Sequence, residues 1–526
     1  MKDALLAVDI GSTNVKALLF DTHGKEITSR STPMRDFYED SPNGRYVYCD
    51  PDVLYADIAG MIREITTLAD GRWEAAAVAV TGMGDDALPI GKDGKPVYPF
   101  ISWKCKRTIK AYEDLGNKMG FERYFLLSGL QARPMDTVFK MMWMKSHEPH
   151  AYGKAEKWLF IEDYVVYRLC GKICTDRSIA SISGLFDIAK ERWSEEIAHY
   201  ADLDTGKLPP LVRGGECIGR VTKEAAGETG LKKGLPVAQG GWDIQCAALA
   251  LGAVSAGDVS DTMGTWETVN IIQNKTMLTR EFYKKGFNVC AHVVEGLYTY
   301  PVFLLSSGIV EWYVENNYPV SAATKRDYAS FTGDIRSSQV GAGGVVFLPY
   351  LAGSHFPSID PYARGAFAGI AENTSRQDFS RAVVEGLTYM SSQVVCECED
   401  IIGSRISRVT VTGGGTRNKE WMKIKADVLG REVCVSKTSE DSARGAAMLA
   451  GIGCGVYGSV HDAISKVDIC SGSMMPSAGN HSLYSGYMDI YADLYKALSG
   501  INRRIGALQE GARDGSVQCL RGTAKQ

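Results

Sequence analysis

Apolar residues recur along this chain in two rhythms, and each change of rhythm marks an element. Residues 4–32 hold three apolar runs parted by polar turns, the second turn at His23-Gly24, and read as three strands. Over residues 52–68 the spacing becomes helical. Leu54, Ile58, Met61, Ile62 and Ile65 share one face of a helix that starts after Asp50-Pro51. Residues 75–81 form an unbroken small, apolar run, the pattern of a strand buried on both faces. Residues 139–145 have helical spacing, 158–161 are strand-like, and 163–169 predict a helix ending at Gly171. Residues 175–184 read as a loop of small residues. Residues 236–238 lead into a flexible double-glycine turn, Gly240-Gly241, and then an apolar helical run at 246–251. In the second half, 304–312 predict a helix, 345–348 a strand and 379–396 a long amphipathic helix. A strand at 407–411 and a helix at 421–429 follow. Strands interleaved with helices predict an α/β protein.

One polar turn interrupts the first two apolar runs: Val8-Asp9-Ile10-Gly11-Ser12-Thr13-Asn14. Gly11 lets a ligand approach the backbone, Ser12 and Thr13 bring hydroxyl and N–H donors, and Lys16 adds a positive charge. Such a hairpin can cradle phosphate oxygens, with Asp9 holding Mg²⁺ through water. A near echo stands downstream at Asp261-Thr262-Met263-Gly264-Thr265-Trp266, again before a strand-like run. Two such turns, one in each half, point to a duplicated domain closing on a nucleotide. A third backbone surface for a nucleotide is Thr412-Gly413-Gly414-Gly415-Thr416-Arg417-Asn418, set between a strand and a helix. The small residues of Ser442-Ala443-Arg444-Gly445-Ala446-Ala447 allow close helix packing beside the same ligand.

Length and composition narrow the class. At 526 residues the chain is too long for one ordinary core. Two large domains are expected, 1–250 and 251–505, with 506–526 a poorly ordered tail where charges and glycines dominate. A formal net charge of −4 gives no footing for nucleic acid or an anionic membrane. No apolar stretch reaches membrane-spanning length, and the run between Asp3 and Asp9 is too short for a signal peptide. The 13 cysteines lack paired zinc spacing and read as reduced core residues of a cytoplasmic protein.

Other residues are candidates for a sugar. The carboxylates of Asp85 and Asp86 follow a buried strand, where α/β sheets bind ligands. Trp103, amid Lys104, Lys106 and Arg107, offers an aromatic face for sugar C–H groups. Asp243 stands at the start of an apolar helix, where it serves equally as helix cap or as general base.

Taken in order, five features resemble the FGGY family of carbohydrate kinases, over residues 4–500. They are the Asp9 to Thr13 turn, Gly240 to Asp243, Asp261 to Thr265, Phe347-Leu348-Pro349-Tyr350, and Gly413-Gly414-Gly415 with Asn418. The resemblance implies two actin-like, ribonuclease H-like domains, duplicated, with ATP and sugar in the central cleft. It implies that Asp243 is the general base, not a cap. It also implies that Asp9 holds Mg²⁺, and that Gly11, Ser12, Thr13, Lys16, Gly264 and Thr265 bind phosphates. Gly414, Gly415 and Asn418 would carry adenine, and Asp85, Asp86, Trp103, Trp242, Asp243 and Gln245 the sugar. Within the family, the Tyr98 to Thr108 stretch, Trp158-Leu159-Phe160-Ile161, Gly264-Thr265-Trp266-Glu267 and Asp243-x-Gln245 are similar to the L-fuculokinase pattern. Trp242 departs from it, standing where those kinases carry His, and so does Gly82-Met83-Gly84-Asp85-Asp86. Residues 347–357 and 360–365 are more like xylulokinases. The expected partners are a small-molecule sugar and ATP, with no nucleic acid and no membrane; a homodimer is allowed. A non-catalytic actin-like ATP switch is the alternative class.

Overall fold

The computed structural model describes residues 2–41, 44–69, 72–318, 326–406 and 408–513. Two large sheets organise it, and their topologies repeat. In the first, Glu26–Pro33, Asn14–Asp21, Lys2–Ile10, Trp73–Gly82 and Pro236–Trp242 lie side by side, with Cys217–Arg220 on the edge. The pairings run antiparallel, antiparallel, parallel, parallel. In the second, Tyr298–Leu305, Trp266–Gln273, Asp258–Met263, Arg408–Thr412 and Val433–Ser436 follow the same order with the same four senses. Each sheet therefore begins with a hairpin and then adds parallel strands, which require crossovers. The first crossover is the Pro51–Ala69 helix, whose Leu54, Ile58, Met61, Ile62 and Ile65 are buried as the periodicity predicts.

The two sheets are joined by a pair of helices. Asp243–Ala250 and Asp441–Cys454 pack on one another, and the second also covers strands Lys2–Ile10, Trp73–Gly82 and Pro236–Trp242. Late sequence thus returns to seal the first sheet. Ala443, Ala446, Ala447 and Ala450 share one apolar cluster with Leu5, Ala7, Ala77, Ala79, Cys246 and Leu249. Small side chains let the backbones approach: a Cβ on Gly445 would sit 1.8 Å from the Cys246 carbonyl oxygen.

Several elements differ from the sequence expectations. Residues 175–184 are not loop but a short strand, Thr175–Asp176, and a helix, Arg177–Ile182, capped by the Asp176 carboxylate. Tyr298–Leu305 continues as strand, and the helix starts only at Ser307 and runs to Asn317. The aromatic and β-branched content of Tyr298 to Phe303 favours the extended form. Gly240 and Gly241 belong to the strand, at a register shift, not to a flexible turn. A Cβ on Gly240 would meet the Val80 carbonyl at 1.9 Å, so its lack of a side chain serves close strand packing. The cysteines are not all reduced: Cys434 and Cys470 form a disulfide, their Cα atoms 6.2 Å apart on neighbouring antiparallel strands. The expected tail is helical as far as Arg513, within Ala478–Arg513. Residues 514–526 lie outside the described residues, as does Ser407 of the predicted strand at 407–411.

The helix contact predicts opposite effects of one substitution type. Gly445→Ala should lower stability by about 1–3 kcal/mol through overpacking. Gly486→Ala, at an open helical site, should raise it by up to about 1 kcal/mol. Thermal unfolding of both variants measures the difference; equal effects would contradict the close contact.

Candidate active site

The first hairpin closes through the Gly11 N–H donating to the Asn14 carbonyl at 3.0 Å. Asp9 and Lys16 are cross-strand partners at its base. Asp9 is half-buried, and no described protein donor hydrogen-bonds its carboxylate. Burial pushes its pKa up to about 7, with Lys16 opposing the rise and Glu440 adding to it. Lys16 itself is not free in the turn: its Nζ lies 2.7 Å from Glu440, at the head of the Asp441–Cys454 helix. That ion pair spans the two halves of the chain.

Asp243 is the first residue of its helix, and Trp242 occupies the cap position without a side-chain cap bond. Among the described residues its carboxylate accepts only the Ile244 N–H, at 2.7 Å. Burial, then the Asp9 charge, hold the Asp243 carboxyl well above the usual carboxylate range, and Asp85 adds to this. Asp9 and Asp85 thus both lie near enough to Asp243 for their charges to act on it. The Met83 N–H donates to the Ile10 carbonyl at 3.0 Å, tying the Gly82 to Asp86 turn to the end of the first strand.

The two adjacent carboxylates in that turn divide their roles. Asp86 is buried in an ion pair with Lys140 at 2.7 Å. It anchors the turn, so the structure corrects its expected contact with sugar. Asp85 sits at φ 56°, a left-handed conformation uncommon outside glycine, and its carbonyl accepts from Thr137 Oγ1 at 2.7 Å and Lys140 Nζ at 2.8 Å. Its carboxylate lies 3.5 Å from Arg133, which is also 3.1 Å from Asp136. Trp103 is half-buried, and the neighbouring Lys104 Nζ reaches the Ser12 carbonyl of the first hairpin at 3.4 Å.

Trp242 is buried and its ring lies 6.4 Å from Phe303, over which the Arg133 guanidinium sits at 5.8 Å. Trp266 and His355 pack edge to face at 5.5 Å beside Phe303. Arg133, Phe303 and His355 were not singled out from the sequence. Arg133 has a local signal, a cation beside Pro134 and Asp136 in an inter-helix loop. Phe303 and His355 have none, because only tertiary folding brings the second half over Trp242. Gln245, expected at the sugar, is fully buried elsewhere. Its Nε2 donates to Thr299 at 2.8 Å and its Oε1 accepts from Asn270 at 3.2 Å, which fastens the helix to the second sheet.

On the second sheet, Gly264, Thr265, Gly414, Gly415 and Asn418 line one cavity of about 460 Å³, floored by Trp421. The three glycines have separate reasons. Gly413 takes φ 94° and abuts Met263, Gly415 also packs on Met263, and Gly414 has open space where a side chain would project. Asn418 caps the Lys419–Leu429 helix through its carbonyl, and its amide donates to Thr332 at 3.3 Å. The echo between the hairpins is imperfect. Asp261 is one residue further from its glycine than Asp9, and alternation along the strand turns it to the opposite face. There it is buried against Lys425, which also bonds Glu267 at 2.6 Å. Asp261 holds the hairpin in place and does not face the cleft.

A duplicated strand order, a turn in each half and a glycine-lined cavity on the second sheet are the features of a two-domain actin-like kinase. Profiles of the FGGY family of carbohydrate kinases match residues 4–250 (N-terminal domain) and 260–454 (C-terminal domain). The chain is 29% identical to L-fuculokinase of Escherichia coli K12 over 470 residues, covering 89% of this chain and 96% of that protein. It is 26% identical to xylulose kinase of Staphylococcus xylosus over 491 residues, covering 93% and 99%. The crystal structure of xylulose kinase from Rhodospirillum rubrum superposes with a TM-score of 0.86 at 25% identity, covering 95% and 100%. The chain belongs to the FGGY family of carbohydrate kinases and is an ATP-dependent sugar kinase. No described helix is long and apolar enough to cross a membrane.

The unpaired Asp9 carboxylate fits a hard cation that brings most of its own oxygen ligands. Among the described residues no group of three or more His, Cys, Asp or Glu is placed to hold a metal alone. That suits Mg²⁺, which is commonly held by one or two carboxylates plus substrate phosphates and water. Because Asp9 is protonated below about 7, Mg·ADP affinity should rise with pH through that value. Calorimetry in buffers of different ionisation enthalpy should show proton release on the acid side, and Asp9→Asn should remove it. Binding independent of pH in the unaltered protein would contradict the assignment. Gly414→Trp should weaken ADP binding by about tenfold or more while leaving the melting temperature unchanged, since its ring would occupy the open cavity. Unchanged ADP affinity would place the nucleotide elsewhere.

Proposed function

We propose that this kinase transfers the γ-phosphoryl group of ATP to a ketose hydroxyl, with Asp243 as general base and L-fuculose, phosphorylated at C1, as substrate. The observation that carries the reading is the placement of Asp243. It is half-buried, its carboxylate takes a single protein hydrogen bond, and it senses both Asp9 and Asp85. A carboxyl made more basic by its surroundings is suited to accept a proton from a sugar hydroxyl. The hydroxyl oxygen attacks the γ-phosphorus in line, its proton passes to Asp243, and the bond to the β-phosphate oxygen breaks to leave ADP. The Gly11 to Thr13 turn and the Gly264-Thr265 turn hold the phosphates. When bound at Asp9, Mg²⁺ supplies charge neutralisation on the phosphate oxygens. Positioning and electrostatics then provide most of the acceleration.

Support for L-fuculose comes from the 29% identity to L-fuculokinase and from the likeness of the Tyr98 to Thr108 stretch to that pattern. A second reading, a xylulose-type kinase, is favoured by the xylulose kinase relatives and by Trp242, which replaces His beside the base. Release of ADP over L-fuculose, D-xylulose, L-rhamnulose and glycerol, with the phosphate position read by NMR, separates the two. The highest kcat/KM is expected on L-fuculose; a preference for D-xylulose would replace it as substrate. Asp243→Asn should lower kcat by about 10²–10⁴-fold with ADP affinity retained. Full turnover by that variant would remove Asp243 from the mechanism.

A further inference from the structure

Arg133 has no step in the mechanism above, although it lies against Asp85, whose charge acts on Asp243. It stands in the loop before the Thr137–His147 helix. Its Nε donates to Asp136 Oδ1 at 3.1 Å, and its Nη2 lies 3.1 Å from the same oxygen. The other oxygen of Asp136 accepts the Arg133 N–H at 3.1 Å and the Tyr124 hydroxyl at 3.3 Å. Asp136 and Tyr124 are fully buried, so the clamp that orients the guanidinium is itself fixed. The guanidinium also lies over the Phe303 ring at 5.8 Å, and Phe303 belongs to a strand of the second half. With one edge and one face taken, the Nη1–Nη2 edge remains, and it borders Asp85 at 3.5 Å. Among the described residues nothing accepts from Nη1, and nothing donates to Asp85 Oδ2. The two side chains are 27% and 11% exposed, so a ligand can reach both.

We propose that Arg133 selects the sugar: its Nη1 donates to one hydroxyl oxygen of the substrate, and Asp85 Oδ2 accepts the proton of a neighbouring hydroxyl. This rests on the reading that Asp243 takes the proton of the reacting hydroxyl, and it concerns hydroxyls other than that one. A sugar hydroxyl is at once donor and acceptor, so an open cationic donor beside an open anionic acceptor fits a vicinal diol. A planar fork is needed, because separate nitrogens must hold Asp136 and the hydroxyl. Phe303 also meets Trp242 at 6.4 Å, which places the guanidinium relative to the residue before Asp243. Charge then sets the substrate class. Every cation bonded to the first hairpin or to the Gly82 to Asp86 turn is already matched. Lys16 pairs with Glu440, Lys104 with Asp36, Lys140 with Asp86, and Arg133 with both Asp85 and Asp136. The site therefore takes a neutral polyhydroxy ketose. An aldonate or uronate would add a carboxylate that no free cation there could meet.

Calorimetric titration of the full chain without nucleotide tests this. The probes are the tighter-binding of L-fuculose and D-xylulose, its 3-, 4- and 5-deoxy analogues, and D-gluconate. In the unaltered protein, removal of the hydroxyl that Arg133 reads should weaken binding by about ten- to a hundredfold. Arg133→Met should weaken the parent ketose by a similar factor, yet bind that one analogue as the unaltered protein does, because the interaction is already gone. Arg133→Lys should follow Arg133→Met. D-gluconate should bind more weakly than the ketose. The proposal is overturned if no deoxy analogue loses as much as tenfold in the unaltered protein, a result that needs no variant to fold. It is also overturned if Arg133→Met weakens the parent and all three analogues by one common factor, as a structural role would, or if D-gluconate binds the tighter. None of these readouts uses turnover. Asp243→Asn should show the same ratios, so failure of the general-base reading and failure of this one are told apart.

Discussion

The contact of the Asp243–Ala250 helix with the Asp441–Cys454 helix is the constraint on which the rest of the molecule depends. Gly445 lies against the Cys246 carbonyl, and alanines surround the crossing. No other residue fits there without displacing one backbone from the other. This contact carries Asp243 at one end and Glu440 at the other. Asp243 looks into the cleft from the first sheet, and Glu440 reaches Lys16 on the first hairpin at 2.7 Å. A single helix pair therefore links the Asp243 carboxyl, the first hairpin and the second sheet. Small residues at such a crossing also leave a smooth surface on which the lobes can rotate, as closure around a substrate requires.

The electrostatics of the cleft follow from the same geometry. Asp9, Asp85 and Asp243 are drawn together with little protein charge to balance them. Arg133 is shared between Asp85 and Asp136, and Lys16 is held by Glu440. Burial is the main cause of the raised proton affinities of Asp9 and Asp243, with Glu440 adding to it at Asp9 and the Asp9 charge adding to it at Asp243. The proposed mechanism uses this arrangement, with cations arriving on the anionic phosphates and Asp243 as the base for the attacking hydroxyl. By contrast, the carboxylates of Asp86 and Asp261 are each matched by a buried lysine, Lys140 and Lys425. Those pairs hold turns in place.

Much of the fold was legible because its causes are local. Apolar runs with polar breaks gave the strands, and the Leu54 to Ile65 periodicity gave the first long helix. The nucleotide side was legible for the same reason, since glycine triplets and hairpin turns carry their conformational demands in the sequence. What was not legible depends on tertiary partners. Asp261 looks like Asp9 in composition, yet one added residue before its glycine reverses the face on which it lies. Gly240 and Gly241 look like a turn, but the neighbouring Val80 carbonyl makes them a close-packed strand. Gln245 looks exposed beside a base, yet Thr299 and Asn270 occupy both ends of its amide. Phe303 reaches Trp242 only through the placement of the second half over the first. The disulfide likewise joins strands 36 residues apart, with no spacing that marks it.

The central claim is that both turns and the Asp243 carboxyl belong to one cleft that closes about the helix pair. Small-angle scattering of the protein, with and without sugar and a non-hydrolysable ATP analogue together, tests this most directly. The account predicts a smaller radius of gyration in the ternary complex than with either ligand alone. An unchanged radius, with both ligands shown to be bound, would contradict it.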